Sequence, residues 1–134
     1  MVDLSTLDTV AGANNGFDVV IYHPGTLANL GITISVLGKD SDEFQKVSRK
    51  HQKKRLDRLS KGGFRGMAGL SAEESERDGL ELLAACTMGW TGVVLDGKDV
   101  PFSTENAIDI YTRFPWIREQ VDIAMGDRSN FLGL

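Results

Sequence analysis

An α+β fold is what this sequence predicts, and three observations carry the prediction. Two stretches near the N-terminus alternate apolar and polar residues with period two. An Asp-Gly link at residues 96–97 joins two short apolar runs, and the segments with helical periodicity lie in separate blocks from the strands rather than alternating with them. The expected order is an N-terminal β-hairpin, a central basic helix, an acidic-capped helix, a second β-hairpin and a C-terminal helix pair. With 134 residues, 41% of them hydrophobic, the chain suits one domain that buries a workable core.

Residues 1–16 are small and turn-forming with little periodicity, so the sequence predicts a flexible arm ahead of a single domain over 17–134. Phe17, Val19 and Ile21, then Ile32, Ile34 and Val36, mark the buried faces of two strands that pair around a loop at His23–Leu30. Asp40 with Glu43 is a capping-box start for a helix to about Ser60. Phe44, Val47, Leu56 and Leu59 are its only sizeable apolar residues and do not form a narrow stripe, so this helix is mostly wet. A Gly-rich connector is expected over 61–70. Ser71 with Glu74 then opens a helix in which Leu80, Leu83, Ala84 and Thr87 share a face.

Asp96-Gly97 is a strong hairpin signal because both positions tolerate positive φ. Ser103 caps the next helix, where Ala107, Ile110, Tyr111 and Phe114 recur on one side. Pro115 ends it and suits the first turn of the last helix, whose apolar side is Ile117, Val121, Ala124 and Met125. Trp90, Val94, Ile110, Phe114 and Val121 are expected to join the strand residues and Leu80 and Leu83 in one core.

Charge is distributed unevenly. From Lys46 to Arg65 there are nine bases against the single acid Asp57, and the rest of the chain holds six bases and eighteen acids. Three readings of the basic run compete. Its bases could pair with Glu73, Glu74, Glu76, Asp78 and Glu81 on the following helix, dock an acidic partner or another copy, or hold nucleic-acid phosphates. No aromatic interleaves the bases between Phe44 and Phe64, which leaves base stacking poorly supplied and favours protein contacts.

Reactive chemistry finds no foothold at this level. His23 and His51 are not at ligand spacing from one another or from Cys86, so no metal site is expected. The glycines from Gly62 to Gly69 are not followed by Gly-Lys-Ser/Thr, and there is no Gly-x-Ser-x-Gly turn. Asp96 and Asp99 are assigned to turn chemistry, Cys86 to an inert buried thiol, and Trp90 and Trp116 to core or interface anchoring. No enzyme and no cofactor are expected. A lone cysteine points to a reducing compartment, and neither a membrane span nor a leader segment is predicted.

Two stretches in order, Phe17-Asp18-Val19-Val20-Ile21-Tyr22-His23-Pro24 with Gly31 to Ser41 and its Gly-x-Asp-Ser turn, then the Trp90-led Asp-Gly hairpin running through Pro101-Phe102-Ser103 into helices ending near Asn130-Phe131, resemble the tail assembly chaperones of long, non-contractile-tailed bacteriophages. The resemblance covers a little over half the chain and leaves Lys46–Gly69 unmatched. It implies a non-enzymatic morphogenesis protein that keeps the tape measure protein soluble in the host cytoplasm and leaves before the virion is complete. The tail tube protein, a longer frameshifted form of itself and further copies are the other partners considered. Arg49, Lys50, Lys53, Lys54 and Arg58 on the basic segment, with Ile108, Trp116 and Ile117 on the helix pair, are the expected partner-binding residues. A small nucleic-acid-binding or regulatory module acting through 46–65, and a structural tail or head-completion protein, are the alternatives.

Overall fold

The computed structural model of the chain describes residues 1–68 and 72–132, with 62–68 described by backbone alone. The fold is α+β. A short helix α1 (Thr9–Asn15) precedes strands β1 (Phe17–Tyr22) and β2 (Asn29–Val36), then helices α2 (Asp42–Ala68) and α3 (Ala72–Ala85). Strand β3 (Thr87–Thr91), a small hairpin of β4 (Val94–Leu95) and β5 (Lys98–Asp99), and helices α4 (Thr104–Arg113) and α5 (Pro115–Gly126) complete it.

β1 and β2 pair antiparallel with Phe17 opposite Val36 and Ile21 opposite Ile32, which puts Val19, Ile21, Ile34 and Val36 into the core. His23 closes their loop. Its Nδ1 accepts the amides of Gly25 and Thr26, both at 3.0 Å, while its own amide donates to the Ala28 carbonyl at 2.8 Å. On α5, Gln120 reaches Tyr22, its side-chain amide both accepting from and donating to the Tyr22 backbone at 2.8 Å.

β3 departs from expectation. Thr87 belongs to a strand and not to the helix face assigned to it, since α3 stops at Ala85 and residues 87–91 pair with β2, Trp90 lying opposite Ile34. Gly89 interrupts the local alternation, so the pairing comes from the open edge of β2 and not from a strand signal of its own. Trp90 then ties the sheet to the small hairpin: its indole N–H donates to the Val100 carbonyl at 2.9 Å, and its ring meets Phe102 edge-on at 5.2 Å. At the hairpin tip Asp96 and Gly97 take φ of 53° and 77°, as the Asp-Gly signal requires. Val93 is buried here and Val94 is 56% exposed, so the expected core residue is off by one position, which in an extended segment exchanges faces.

Helices α3, α4 and α5 cover the sheet with Leu80, Leu83 and Ala84, with Ala107, Ile110 and Tyr111, and with Ile117, Val121 and Met125. Ser103 caps α4 by accepting the Asn106 amide at 3.0 Å, and Pro115 opens α5. A hydroxyl relay runs through the centre. Thr87 Oγ1 donates to the Leu83 carbonyl at 2.8 Å, which leaves it to accept from the Tyr111 hydroxyl at 2.7 Å. Burial pushes the Tyr111 phenol up to about 12, an effect that the Thr87 hydrogen bond partly offsets.

Within the N-terminal arm, α1 packs on the rest of the protein while residues 1–8 are exposed. Asp8 caps α1, Ala13 is buried, and Gly12 lies so close to the Phe131 carbonyl that a β-carbon there would collide with it. Phe131 in turn meets Phe17 edge-on at 6.0 Å. The small residues that look like a linker in sequence are small because two backbones approach. Asn14 accepts the Asp42 amide at 2.8 Å and so fixes the start of α2.

That start is capped by Ser41, whose Oγ accepts the Phe44 amide at 3.2 Å, and not by Asp40. Asp40 instead holds Arg128 at 2.7 and 3.1 Å, and the Arg128 hydrogen bonds keep its carboxyl below the ordinary carboxylate range. α2 continues through Gly62, Gly63 and Gly66, where the sequence predicts a connector. A helical glycine costs about 1 kcal/mol against alanine without forbidding the conformation, so the flanking helix formers prevail. The Ser71 cap and the end of the expected connector lie outside the described residues.

Gly12→Ala should lower the thermal midpoint, at an overpacking cost of about 1–3 kcal/mol, because its methyl must displace the Phe131 turn. Burial also raises the Cys86 thiol to about 12 from an ordinary 9.0, as it raises Tyr111 from 10.0. Both groups hold their protons longer folded than unfolded, so their contribution is whole below the unfolded values and is lost as pH climbs toward the folded ones. Denaturant unfolding between pH of about 8 and about 11.5 should show falling stability, with a shallower fall in Tyr111→Phe.

Candidate functional site

α2 is helical because Lys, Arg, Gln and Leu are good helix formers, yet it offers the core little beyond Phe44. What it offers is charge. α2 and α3 run antiparallel, and their facing residues step along a seam: His51 with Asp78 and Glu81, Arg55 with Asp78, Arg58 with Glu74. Leu80, Leu83 and Ala84 bury the other side of α3, so its acids are held in place for α2 to meet.

At the middle of the seam each carboxylate divides its oxygens. Asp78 turns Oδ2 to Arg55 at 3.4 Å and Oδ1 to His51 Nε2 at 3.9 Å; Glu81 turns Oε1 to Arg77 at 3.6 Å and Oε2 to the same Nε2 at 3.4 Å. His51 is only 8% exposed and lines a cleft of about 320 Å³ with these partners. Further along, Arg58 and Glu74 are in direct contact, which raises the guanidinium pKa still higher, and Arg118 reaches Glu76 at 3.3 Å.

The opposite face of α2 is open. Lys46, Arg49, Lys50 and Lys53 recur at spacings that keep them on the side away from His51 and Arg55, with Lys61 at the flank; all are exposed, and none forms an ion pair among the described residues, whereas the exposed Lys54 lines the cleft beside His51. At 1.5 Å per residue the stripe is roughly 22 Å long. Asp57 is the one acid within it, and Leu56 stands at its flank, 64% exposed.

The expected partner-binding residues therefore separate into groups. Arg49, Lys50 and Lys53 lie on the open face, Lys54 is exposed at the rim of the His51 cleft, and Arg58 is turned inward to Glu74. Ile117 is a core residue at 5% exposure and offers no contact surface, because α5 turns it against the sheet. Ile108 and Trp116 are half-buried against the core, Trp116 edge-on to Phe114 at 6.2 Å; α4 covers a wider arc than its Ala107, Ile110 and Tyr111 stripe suggests. Intramolecular pairing thus accounts for the inner bases and leaves the outer ones available.

The His51, Asp78 and Glu81 group is absent from the sequence reading, since it forms only when the two helices fold back on each other. Its signal was the i, i+3 spacing of Asp78 and Glu81, placing both acids on one face toward an antiparallel neighbour. Cys86 is fully buried, and its raised pKa, caused first by desolvation and then by Glu43, keeps it a thiol. No helix among the described residues is long and apolar enough to cross a membrane.

A double-mutant cycle on Arg55→Gln and Asp78→Asn should return a coupling of about 0.2–1 kcal/mol that shrinks as salt is added, the behaviour of a partly wet pair. A coupling insensitive to salt would contradict this account of the seam. Compared with known proteins, the chain matches no family model, no curated protein and no solved structure.

Proposed function

We propose that this protein is a non-enzymatic tail assembly chaperone of a long, non-contractile-tailed phage, holding the tape measure protein soluble in the host cytoplasm until tube subunits enclose it. The observation that carries the reading is the open face of α2, where five bases stand exposed without an ion pair among the described residues. Further support comes from the order of elements on which the sequence resemblance rests: an opening strand pair, an Asp-Gly hairpin, and a helix pair hinged at Pro115.

A chaperone without an ATPase holds its client by mass action. Coverage favours the soluble state by RT ln(1 + [L]/Kd), about 2.7 kcal/mol at a hundredfold excess over Kd, so many copies act on one long client. A lysine-rich face suits that task. Its charges speed encounter with acidic helical segments, and its flexible stems adapt to many of them while each contact stays weak enough to release. Leu56 adds an apolar contact at the edge. Under this reading the tail tube protein and a longer frameshifted form of the chain meet the same complex, and no bond is made or broken.

Co-expression with the tape measure protein of the same phage should raise its soluble yield and give a joint peak on size exclusion. Arg49→Glu, Lys50→Glu and Lys53→Glu combined should cut both several-fold while the far-ultraviolet spectrum stays unchanged, because all three side chains are exposed. No gain in solubility and no complex with the unsubstituted chain would sink the proposal. Salt-steep binding of DNA or RNA, abolished by the same substitutions, would move the assignment to a nucleic-acid-binding module.

A further inference from the structure

We propose that His51, Asp78 and Glu81 form a divalent metal site of the zinc class that clips α2 to α3. The donor atoms converge: one imidazole nitrogen and one oxygen from each carboxylate lie within 4.8 Å of one another. An ion about 2.0–2.2 Å from each donor in tetrahedral geometry spaces those donors about 3.3–3.5 Å apart. The Nε2 to Oε2 separation is 3.4 Å and the Nε2 to Oδ1 separation is 3.9 Å, so the group contracts by only a few tenths of an ångström on those two sides to take the ion.

Two observations besides proximity point to an ion. First, His51 is a buried imidazole whose Nε2 faces two carboxylate oxygens at once, and a single N–H satisfies only one acceptor well. A cation at the centre serves all three donors together. Second, the outer oxygens are already taken, Asp78 Oδ2 by Arg55 and Glu81 Oε1 by Arg77. This is the arrangement in which surrounding groups orient ligating carboxylates, and it leaves the inner oxygens to point at the gap. The adjoining cleft, about 320 Å³ and lined by Lys54, Arg55, Arg58 and Arg77 as well as by the acids, leaves room for a water as fourth ligand.

A nitrogen ligand selects the class of metal. Imidazole suits Zn²⁺, Co²⁺ and related ions, whereas Mg²⁺ and Ca²⁺ prefer all-oxygen sets. Because the ligands come from both helices, the ion binds the folded hairpin better than the open chain and stabilises it by linkage. The site acts as a fastener beneath the basic face of α2, and it stands or falls independently of what that face binds.

The test is titration of the metal-stripped full chain with Zn²⁺ by calorimetry, and with Co²⁺ by visible absorption. One ion per chain, a rise in thermal midpoint with Zn²⁺, and a tetrahedral Co²⁺ spectrum are expected. His51→Gln and Glu81→Gln should each weaken binding by about tenfold or more and remove the thermal gain. Glu81 is half-exposed, so its variant keeps the test open if loss of the buried imidazole disturbs folding. Absence of saturable Zn²⁺ uptake would overturn the site, as would uptake that both variants leave unchanged. Mg²⁺ binding as tightly as Zn²⁺ would also refute it.

Discussion

α2 has too little apolar surface to be held by burial, and its position rests on the line of opposite charge it shares with α3. Phe44 is the main apolar residue it sends to the core, while His51, Arg55 and Arg58 face Glu74, Asp78 and Glu81. Pairs of this kind are individually weak and screened by salt. They specify register more than they stabilise, and register is what matters here: turning α2 by one residue would swing the outer lysines toward α3. The fixed partner is α3, which Leu80, Leu83 and Ala84 lock to the sheet. The basic face is therefore aimed from the core through one intermediate helix.

The remainder of the molecule is held in a contrasting way. Around Tyr111 the packing is dry, and the polar groups that must lie inside are connected in one direction, from phenol to Thr87 hydroxyl to the Leu83 carbonyl. That relay joins α4, β3 and α3, so the helices cannot slide on the sheet without stranding a buried donor, at a cost of about 1–3 kcal/mol. Buried contacts are concentrated on the sheet side and exposed charge on the long-helix side.

Features governed by local chemistry were legible in the sequence, and those governed by distant contact were not. Asp96-Gly97, Ser103, Pro115 and the β1–β2 alternation each act through residues within a few positions, and the structure places the elements where they point. β3 depends on the free edge of β2, far away in sequence, and Gly89 hides it. Gly12 reads as slack until Phe131 arrives against it. Asp40 satisfies the rule for a cap but finds Arg128 instead, leaving Ser41 to take its place. At the candidate site the cluster of bases was plain from composition, yet which bases face outward, and that His51 meets two acids, required the fold of one helix on the other.

One small contact bears on how copies of this chain can meet. A sheet with open sides invites extension by another molecule, and Gln120 counters this at Tyr22, its amide standing in for the backbone of a neighbouring strand. With that position occupied from within, recruitment by strand addition is discouraged on the β1 side. Under the proposed function this leaves contact with a client to the helices, where an encounter can be reversed without unzipping a ladder of main-chain bonds.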